Sequence, residues 1–363
     1  MRFADALIDW QRRAGRHDLP WQRTRDPYRI WVSEIMLQQT QVATVIGYYG
    51  RFLDAYPDVA ALARAPIDDV LRHWSGLGYY SRARNLHAAA RAVVERHGGA
   101  FPTDPAALEA LPGIGRSTAA AIAAFSCGTP VPILDGNVRR VLCRAFGIEG
   151  FPGERAVEQR LWALAADEMP AAGDGRVETY TQALMDLGAT VCVRTKPRCG
   201  ACPVVDRCVA RAQGRVDALP APRPARAVGT RGAHWALLRD GDAVLLERRA
   251  SSGLWGGLWS LPEVVAPDEG VAPDAVDAAA VAAWARARLG LALDAAGVVP
   301  VGDVRHAFTH FRLRARVWAG VPPAGAAAPA GHLWLALADA ADAPLPRPVK
   351  SLLLGLSAPG GLR

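Results

Sequence analysis

The segment ALEALPGIGRSTAAAIAAF, residues 107 to 125, places a short turn between two stretches whose apolar residues recur at helical spacing. The turn is Leu111-Pro112-Gly113-Ile114-Gly115, and the pattern predicts a helix–hairpin–helix. Glycine lets the backbone come close to a partner, and the N–H groups that open the second helix favour an anion such as a DNA phosphate. A plain turn between two packed helices is the alternative interpretation.

A second motif, PILDGNVRRVL, begins at Pro132 and places Asp135 eighteen residues after Ser117. Asp135 directly precedes a predicted helix, so its carboxylate is expected to cap that helix. A helix N-terminus also keeps a nearby carboxylate ionised. The same residue can therefore serve as a cap and as a catalytic group.

Four of the six cysteines lie within seventeen residues: Cys192, Cys199, Cys202 and Cys208. The N-terminal sequence MRFADALIDWQRR has acidic residues where a secretory signal needs an apolar stretch, which disfavours disulfides. Charged residues between the cysteines argue against a set of buried apolar side chains. Four soft thiolates suit zinc or an iron–sulfur cluster, and the spacing leaves both metals open.

The composition is that of a globular protein, with 363 residues of which 51% are hydrophobic and 21% charged. This length allows two or three domains. No apolar run reaches the length of a membrane span, and no signal peptide is expected, so we predict a cytoplasmic protein. The net charge of +7 permits nucleic-acid binding, and arginines are dense from Arg72 to His97.

A proline-rich stretch divides the chain. Residues 214 to 231, GRVDALPAPRPARAVGTR, contain few large apolar side chains, which predicts an extended linker. Residues 1 to 213 show helical apolar spacing and form the first predicted domain. Residues 232 to 358 form a smaller α+β domain, in which strands flank the turn Asp240-Gly241 and a helix lies near residues 275 to 289.

The motifs LPGIGRSTA and LDGNVRR, together with the four cysteines, resemble the helix–hairpin–helix DNA glycosylases, the superfamily of endonuclease III. Within it, DPYRIWVSEIMLQQTQVATV (residues 26 to 45) and GLGYYSRARNL (76 to 86) are similar to the MutY family of adenine glycosylases. The resemblance spans about the first 210 residues and resumes beyond the linker. It implies a mostly α catalytic domain and a Nudix-like C-terminal domain.

The resemblance also implies that the cysteines hold a [4Fe–4S] cluster, within a loop from residue 192 to 208. A closed set of four ligands has no open position for substrate, so the cluster is expected to be scaffold. The loop after Cys192 carries Arg194, Lys196 and Arg198, which we expect to bind DNA phosphate.

Two carboxylates would carry the chemistry. Breaking an N-glycosidic bond requires a proton for the leaving base and a negative charge beside the cationic sugar. Glu34 lies on one helical face with Ile30 and Leu37, so apolar neighbours are expected to raise its pKa and keep it a proton donor. The resemblance implies that Glu34 protonates adenine and helps to activate water, while Asp135 stabilises the sugar cation.

The residue type at position 117 distinguishes two kinds of DNA glycosylase. Endonuclease III-type enzymes carry a Schiff-base lysine at this position, and a hydroxyl cannot form the imine. We therefore predict a monofunctional glycosylase that leaves an abasic site. The alternatives are a glycosylase/lyase for oxidised pyrimidines, disfavoured by Ser117 and the second domain, and a non-catalytic DNA-binding adaptor, disfavoured by the presence of Glu34 and Asp135.

Further contacts follow from the resemblance alone. Gln39 and Tyr79 are expected to enter the duplex as adenine leaves the stack. The other residues expected to contact DNA are Thr40, Leu111, Gly113, Gly115 and Ser117. Those expected to line the adenine pocket are Trp21, Leu37 and Gln182. Those expected to sense 8-oxoguanine are Phe308, Thr309 and His310. Core packing is the alternative for Trp21 and for Tyr79.

The sequence SGLWGGLWSLPE, residues 252 to 263, resembles part of a Nudix fold, and Gly257 with Glu263 matches the opening of the Nudix box. Val271, Ala272 and Pro273 stand where that family needs ligands for Mg²⁺, so pyrophosphate hydrolysis is not expected. We instead expect a recognition module. One strand face there would carry His310, Arg312, Arg314 and Arg316.

The expected substrate is double-stranded DNA with adenine opposite 8-oxoguanine or, more slowly, opposite guanine. We expect a monomer that works at the nucleoid without a membrane partner. Repair or replication proteins are further candidate partners, which the sequence does not identify.

Overall fold

The computed structural model describes residues 2–173, 175–224, 228–250, 253–264, 276–308 and 310–357. The chain forms two compact units. The first comprises Met1–Ile67 and Arg82–Ala225, and the second comprises Asp68–Ser81 and Arg226–Arg363. A short segment of the N-terminal half thus groups with the C-terminal half, which the sequence does not predict.

The secondary-structure elements among the described residues before 225 are helices. The helices are Phe3–Ala14 (α1), Pro27–Leu37 (α2), Val42–Ala55 (α3), Val59–Arg64 (α4), Ile67–His73 (α5), Ser81–His97 (α6), Pro105–Glu109 (α7), Arg116–Cys127 (α8), Gly136–Phe146 (α9), Arg155–Asp167 (α10), Arg176–Asp186 (α11) and Val209–Ala212 (α12). Short 3-10 turns at Pro20–Arg23, Cys199–Ala201 and Val205–Arg207 and a π turn at Leu187–Val191 complete this part.

Local sequence explains where several of these helices begin and end. Aspartates cap the first turns of α2, α4, α7 and α9, because each carboxylate accepts a hydrogen bond from a backbone N–H. Gly128 and Gly147 end α8 and α9 in the left-handed conformation that glycine adopts at low cost. Buried side chains of α1, α8, α9, α10 and α11 form one shared core.

The second unit contains a six-stranded sheet. Its strands are Gly229–Asp240 (β1), Ala243–Arg248 (β2), Trp259–Ser260 (β3), Val299–Ala307 (β4), Phe311–Gly320 (β5) and His332–Ala336 (β6). The order is β3-β2-β1-β5-β4, with β6 also paired to β2. β1 and β5 run parallel, whereas the other pairs are antiparallel. The β1–β2 hairpin turns at Asp240, as the sequence predicts.

Helices cover both faces of this sheet. Along β1, Trp235 and Leu237 point to a core shared with the helix Arg347–Ser357 (α14). The alternate residues Ala236 and Leu238 point to a core shared with Ala278–Trp284 (α13) and the π turn that follows it. This alternation follows from the two-residue period of a strand. The predicted α+β architecture is confirmed, including the helix near residues 275 to 289.

The segment predicted as a linker, residues 214 to 231, is shorter in the structure. Leu219 is buried, and its carbonyl oxygen accepts a hydrogen bond from Arg144 of α9. At the other end, β1 already begins at Gly229. The start of the proline-rich stretch is therefore not a free linker, because an apolar residue there packs against the helical core.

Candidate active site and DNA-contacting surfaces

Glu34 lies in the last turn of α2, which ends at Leu37. Its side chain is half-buried, while Ile30 one turn earlier is buried. Burial is the main cause that raises the pKa of Glu34 to about 8, and the negative charge of Asp135 raises it further. The raised pKa expected from the sequence is confirmed. The carboxyl group is mostly protonated at neutral pH, as a proton donor requires.

Asp135 precedes α9 and accepts a hydrogen bond from the backbone N–H of Val138 at 2.7 Å, as the sequence predicts for a cap. Burial raises its pKa, and hydrogen bonds from the backbone N–H groups of Val138 and Asn137 act against that rise. The two carboxylates therefore differ in environment. The N–H groups at the start of α9 favour the ionised form of Asp135, and Glu34 has no such donors among the causes that set its pKa.

Ser117 is linked to the segment that carries Asp135. Its Oγ accepts a hydrogen bond from the backbone N–H of Leu134 at 3.0 Å. The hairpin helix α8 thereby holds the residue next to Asp135. The chain has only two lysines, Lys196 and Lys350, and neither lies in α8. An amine at the position of Ser117 is therefore absent.

A hydrogen-bond network extends from Asp135 toward the cysteines. Arg140 in α9 donates to Asn137 Oδ1 at 2.8 Å, to the Gly188 carbonyl at 2.8 Å and to the Cys192 carbonyl at 2.8 Å. Because Asn137 is in the first turn of α9, the network joins the helix start to the beginning of the cysteine loop. Displacement of that loop would be transmitted to the helix that orients Asp135.

The four cysteines line one cavity that is partly open to solvent. Burial raises the pKa of Cys202 to about 11, and the charges of the other three thiolates contribute further, which shows that the four groups lie close together. Among the described His, Cys, Asp and Glu side chains, no three converge on a point suited to one metal ion. Four neighbouring thiols are ligands for either zinc or an iron–sulfur cluster.

Arg144, also in α9, connects this loop to the start of the linker. It is 3% exposed and donates to the carbonyls of Val193 at 2.7 Å, Val216 at 3.0 Å and Leu219 at 2.8 Å. It also lies 3.5 Å from Cys192 Sγ. A buried guanidinium with this many acceptors is satisfied only while both segments keep their positions.

The predicted hairpin lies between α7 and α8. Leu111 is buried, so its side chain packs inside the fold and only its backbone is available for a partner. Gly113 has a φ of +76°, and a Cβ there would lie 2.6 Å from Cβ of Asn85. Gly115 has a φ of −92°, and no atom lies within 4 Å of a Cβ placed there. Gly113 is thus required by the fold, whereas Gly115 leaves open space before α8.

The turn after α2 carries Gln39 and Thr40. Gln39 is exposed and has a φ of +56°, a conformation that non-glycine residues rarely adopt. Arg82 holds this turn from α6: it donates to the carbonyls of Ile35 at 2.8 Å and Met36 at 2.9 Å and to Thr40 Oγ1 at 3.1 Å. Tyr79 lies in the second unit, is 52% exposed and has a φ of +47°.

Several arginines of the dense run from Arg72 to His97 have partners within the protein. Arg82 is 8% exposed and holds the turn just described. Arg72 pairs with Asp69, and Arg91 pairs with Glu95. A sequence count does not distinguish such residues from unpaired surface charge, so contact between this run and DNA stays a prediction.

Two residues expected in the adenine pocket are held by other protein groups. Trp21 is buried and packs edge-on against Tyr49 with ring centroids 5.6 Å apart. Gln182 donates to Asp186 at 2.8 Å, and Asp186 in turn pairs with Arg16. These contacts describe packing, and contact with adenine stays a prediction for both residues and for the half-buried Leu37.

Aromatic rings surround the predicted 8-oxoguanine segment. Phe308 stacks on Phe311 with centroids 4.6 Å apart and also contacts Trp255 at 5.5 Å. His310 lies 4.9 Å from Phe311 and just precedes β5. Thr309 lies outside the described residues. Trp255 has a φ of +53°, so a strained backbone places an indole in this group.

The basic face of β5 is partly neutralised. Arg312, Arg314 and Arg316 are exposed on one face, as predicted, but Arg314 and Arg316 pair with Asp303 of β4. Across the sheet, Glu263 pairs with Arg231 and Arg249. A carboxylate held by two guanidinium groups is a poor ligand for Mg²⁺. The other Nudix positions, residues 271 to 273, lie outside the described residues.

The roles of Arg82, Arg140 and Arg144 were not predicted from the sequence. Each of these arginines lies in a helix with an amphipathic sequence, where an arginine is expected on the exposed face. The carbonyl groups that accept its hydrogen bonds lie far away in the sequence. One indication was available in the sequence: Arg140 and Arg144 follow LDGN on one predicted helix and are four residues apart, so they lie on the same helical face.

Comparisons with known proteins agree with this geometry. A family model described as "HhH-GPD superfamily base excision DNA repair protein" matches residues 32–167, and a NUDIX domain model matches residues 234–355. The solved structure of a thermostable thymine-DNA glycosylase superposes with a TM-score of 0.53 at 30% identity, over 58% of this chain and 95% of that one. No helix among the described residues has the length and apolar character needed to cross a membrane.

Curated relatives extend the similarity over both units. The adenine DNA glycosylase of Buchnera aphidicola is 35% identical over 72% of this chain and 74% of its own length. That of Rattus norvegicus is 35% identical over 92% of this chain and 73% of its own length. That of Homo sapiens is 36% identical over 87% of this chain and 66% of its own length. The chain belongs to the adenine DNA glycosylases, the DNA N-glycosylases that release adenine in base excision repair.

Proposed function

We propose that this glycosylase releases adenine paired with 8-oxoguanine, and more slowly adenine paired with guanine, by hydrolysis that leaves the DNA strand intact. The observation that carries the proposal is the Glu34 and Asp135 pair. Their charges interact, yet their surroundings differ, so one can be protonated while the other is ionised. Glycosidic cleavage needs this combination.

In the proposed reaction, Glu34 donates its proton to the departing adenine. A pKa of about 8 keeps that proton in place at neutral pH until the bond to the sugar weakens. The carboxylate formed can then accept a proton from the attacking water. Asp135 supplies negative charge beside the sugar cation, and its hydrogen bond from Val138 holds it in place at the helix start.

The absence of an amine at Ser117 supports hydrolysis without strand cleavage. A covalent imine needs a nitrogen nucleophile, whereas the Ser117 hydroxyl accepts a hydrogen bond from Leu134. Its role in this proposal is to orient the segment before Asp135. The product is then an abasic site.

The proposed reaction requires adenine to leave the duplex. Gln39 and Tyr79 are suited to fill the space it vacates, because both are exposed and both have left-handed backbone conformations that direct them out of their turns. Unstacking costs a few kcal/mol, and inserted side chains offset part of it. The hairpin with Gly115 and Ser117 would contact phosphate at the open start of α8.

We further propose that Cys192, Cys199, Cys202 and Cys208 hold a [4Fe–4S] cluster. All four line one cavity, which supports a shared metal group, and the resemblance to the endonuclease III superfamily favours a cluster over a single zinc ion. When bound, the cluster supplies four metal–thiolate bonds that fix the loop. Arg194 and Lys196 would then face DNA phosphate, while Arg198 donates to the Thr190 carbonyl and has a structural role.

Recognition of 8-oxoguanine is assigned to the aromatic group around Phe308, Thr309 and His310. Stacked rings offer a flat apolar surface to a base, and the histidine offers a hydrogen bond. Residues 1 to 213 would then perform catalysis and residues 232 to 358 recognition, in a monomer that works on DNA of the nucleoid. The pairing of Glu263 with two arginines supports recognition rather than nucleotide hydrolysis.

The test is base release from duplexes carrying each base opposite guanine or 8-oxoguanine, scored with and without alkaline cleavage. We expect adenine release, fastest opposite 8-oxoguanine, and strand breaks only after alkali. Release of a pyrimidine, or strand breaks without alkali, would overturn the proposal. Glu34→Gln should bind the mispaired duplex and release no base, whereas a non-catalytic adaptor would release none before or after the change.

A further inference from the structure

The segment Asp68–Ser81 groups with the second unit although it lies early in the chain. It contains the turn from Trp74 to Tyr80 with Tyr79 at its tip. Inside the turn, the Trp74 indole donates to the Gly78 carbonyl at 3.2 Å. The turn is therefore a compact element whose position depends on what holds its two sides.

Polar contacts join this segment to the C-terminal half. Lys350 Nζ of α14 donates to Ser75 Oγ at 2.7 Å. The Tyr80 hydroxyl lies 3.4 Å from the Leu345 carbonyl, and Arg248 of β2 pairs with Asp68 at 2.5 Å. Ser75 and Tyr80 stand on either side of Tyr79, so the contacts hold the turn on both sides of the exposed ring.

Lys350 is fixed on its own side as well. The same ammonium donates to the Ala341 carbonyl at 2.7 Å, and its helix is anchored by the buried residues Val349 and Leu353. Lys350 is one of two lysines in a chain with 42 basic residues, nearly all arginine. A compact ammonium can bond two acceptors in different directions, whereas a planar guanidinium directs its donors differently.

We propose that Lys350 is a positioning residue for the Tyr79 turn, so that the recognition unit sets the place of the side chain that enters the duplex. The inference rests on the proposed insertion of Tyr79. It extends the role of the second unit from sensing the opposite base to preparing the extrusion of adenine. A contact with a helix that is anchored in a buried core restrains such a turn more firmly than a contact with a mobile surface group.

The direct test is amide hydrogen exchange in the full-length free protein. Lys350→Met removes the donor and keeps an apolar stem, and Ser75→Ala removes the acceptor. Each should speed exchange in residues 74 to 80 about fivefold, the factor for losing one half-buried charged hydrogen bond. Arg288→Met, which removes an exposed cation on the opposite side of the sheet, should change nothing there. Unchanged exchange in Lys350→Met would overturn the positioning role.

The functional test uses stopped-flow fluorescence of a duplex with 2-aminopurine beside the mispair, in a Glu34→Gln background that keeps the base attached. Lys350→Met should slow the fluorescence change about fivefold when Tyr79 is present, and it should have no further effect in Tyr79→Ala. An equal slowing in both backgrounds would overturn the inference. If Tyr79→Ala alone leaves the signal unchanged, the proposed insertion fails, a result that is separate from the exchange measurement.

Discussion

The raised pKa of Glu34 predicts a dependence of stability on pH that Glu34→Gln should remove. The ordinary pKa of the group is 4.5, and in the folded protein it is about 8. Between these two values, the folded state keeps a proton that the unfolded state has released. The free energy of unfolding contributed by this group is therefore fully present below pH 4.5 and is lost as pH rises toward 8.

The size of the effect follows from the same interval. At about 1.36 kcal/mol per pH unit, the span from 4.5 to about 8 sets an upper limit of about 5 kcal/mol. Glu34 is half-buried, so water reaches part of the side chain and reduces this figure. We expect a loss of about 2 to 4 kcal/mol in wild type between pH 5 and pH 8 that is absent from Glu34→Gln.

The assay is urea unfolding from pH 5 to pH 9, followed by the fluorescence of the eleven tryptophans. Subtracting the Glu34→Gln curve from the wild-type curve cancels the titrating groups that do not interact with Glu34 and leaves Glu34 together with its coupling to Asp135. Glu109→Gln, which changes an exposed carboxylate at the end of α7, is the matched control and should run parallel to wild type. Parallel curves for Glu34→Gln as well would refute the burial argument.

The pKa of Glu34 also predicts how the rate of base release depends on pH. Under single-turnover conditions, base release should fall about tenfold per pH unit above pH 8, because the protonated form of Glu34 becomes scarce. A rate that stays constant to pH 9.5 would show that Glu34 is not the proton donor.

Four further substitutions test the scaffold. Gly113→Ala should lower the free energy of unfolding in urea by about 1 to 3 kcal/mol, because φ is positive there and the new Cβ would meet Asn85. Gly115→Ala should leave that free energy unchanged and weaken DNA binding measured by fluorescence anisotropy. Equal losses of stability in the two variants would contradict this reasoning. Arg144→Met should lower the iron bound per chain and speed protease cleavage just before the linker, and an unchanged iron content and cleavage pattern would argue against its connecting role. Ser117→Ala should slow base release about threefold to tenfold, with no strand cleavage, and a wild-type rate would show that its hydrogen bond does not orient the catalytic segment.

The features that were predicted correctly from sequence are those set by neighbouring residues. The cap at Asp135, the hairpin with Gly113 and the turn at Asp240 depend on side chains and backbone conformations within a few positions. The two-residue alternation of β5 likewise exposes its arginines without information from elsewhere. Local physical chemistry was enough in each case.

The structural features that could not be predicted depend on contacts between residues that are far apart in the sequence. Arg82 counts as a surface charge until its acceptors at the end of α2 are known. Leu219 looks like part of a linker until Arg144 is found bound to its carbonyl. The contact between Ser75 and Lys350 joins residues 275 positions apart, and no periodic pattern encodes such a meeting.

Backbone strain gives a separate line of argument about the DNA-facing surface. Among the described residues, four that are not glycine have positive φ: Gln39, Tyr79, Lys196 and Trp255. Each such conformation costs about 1 kcal/mol or more, which glycine would avoid. Gln39, Tyr79 and Lys196 fall in segments for which DNA contact was predicted on other grounds, and Trp255 packs against Phe308 of the predicted 8-oxoguanine segment. A non-glycine residue at such a position is favoured if its side chain must project from the turn. Insertion into the duplex, phosphate binding and stacking on a base all require a projecting side chain.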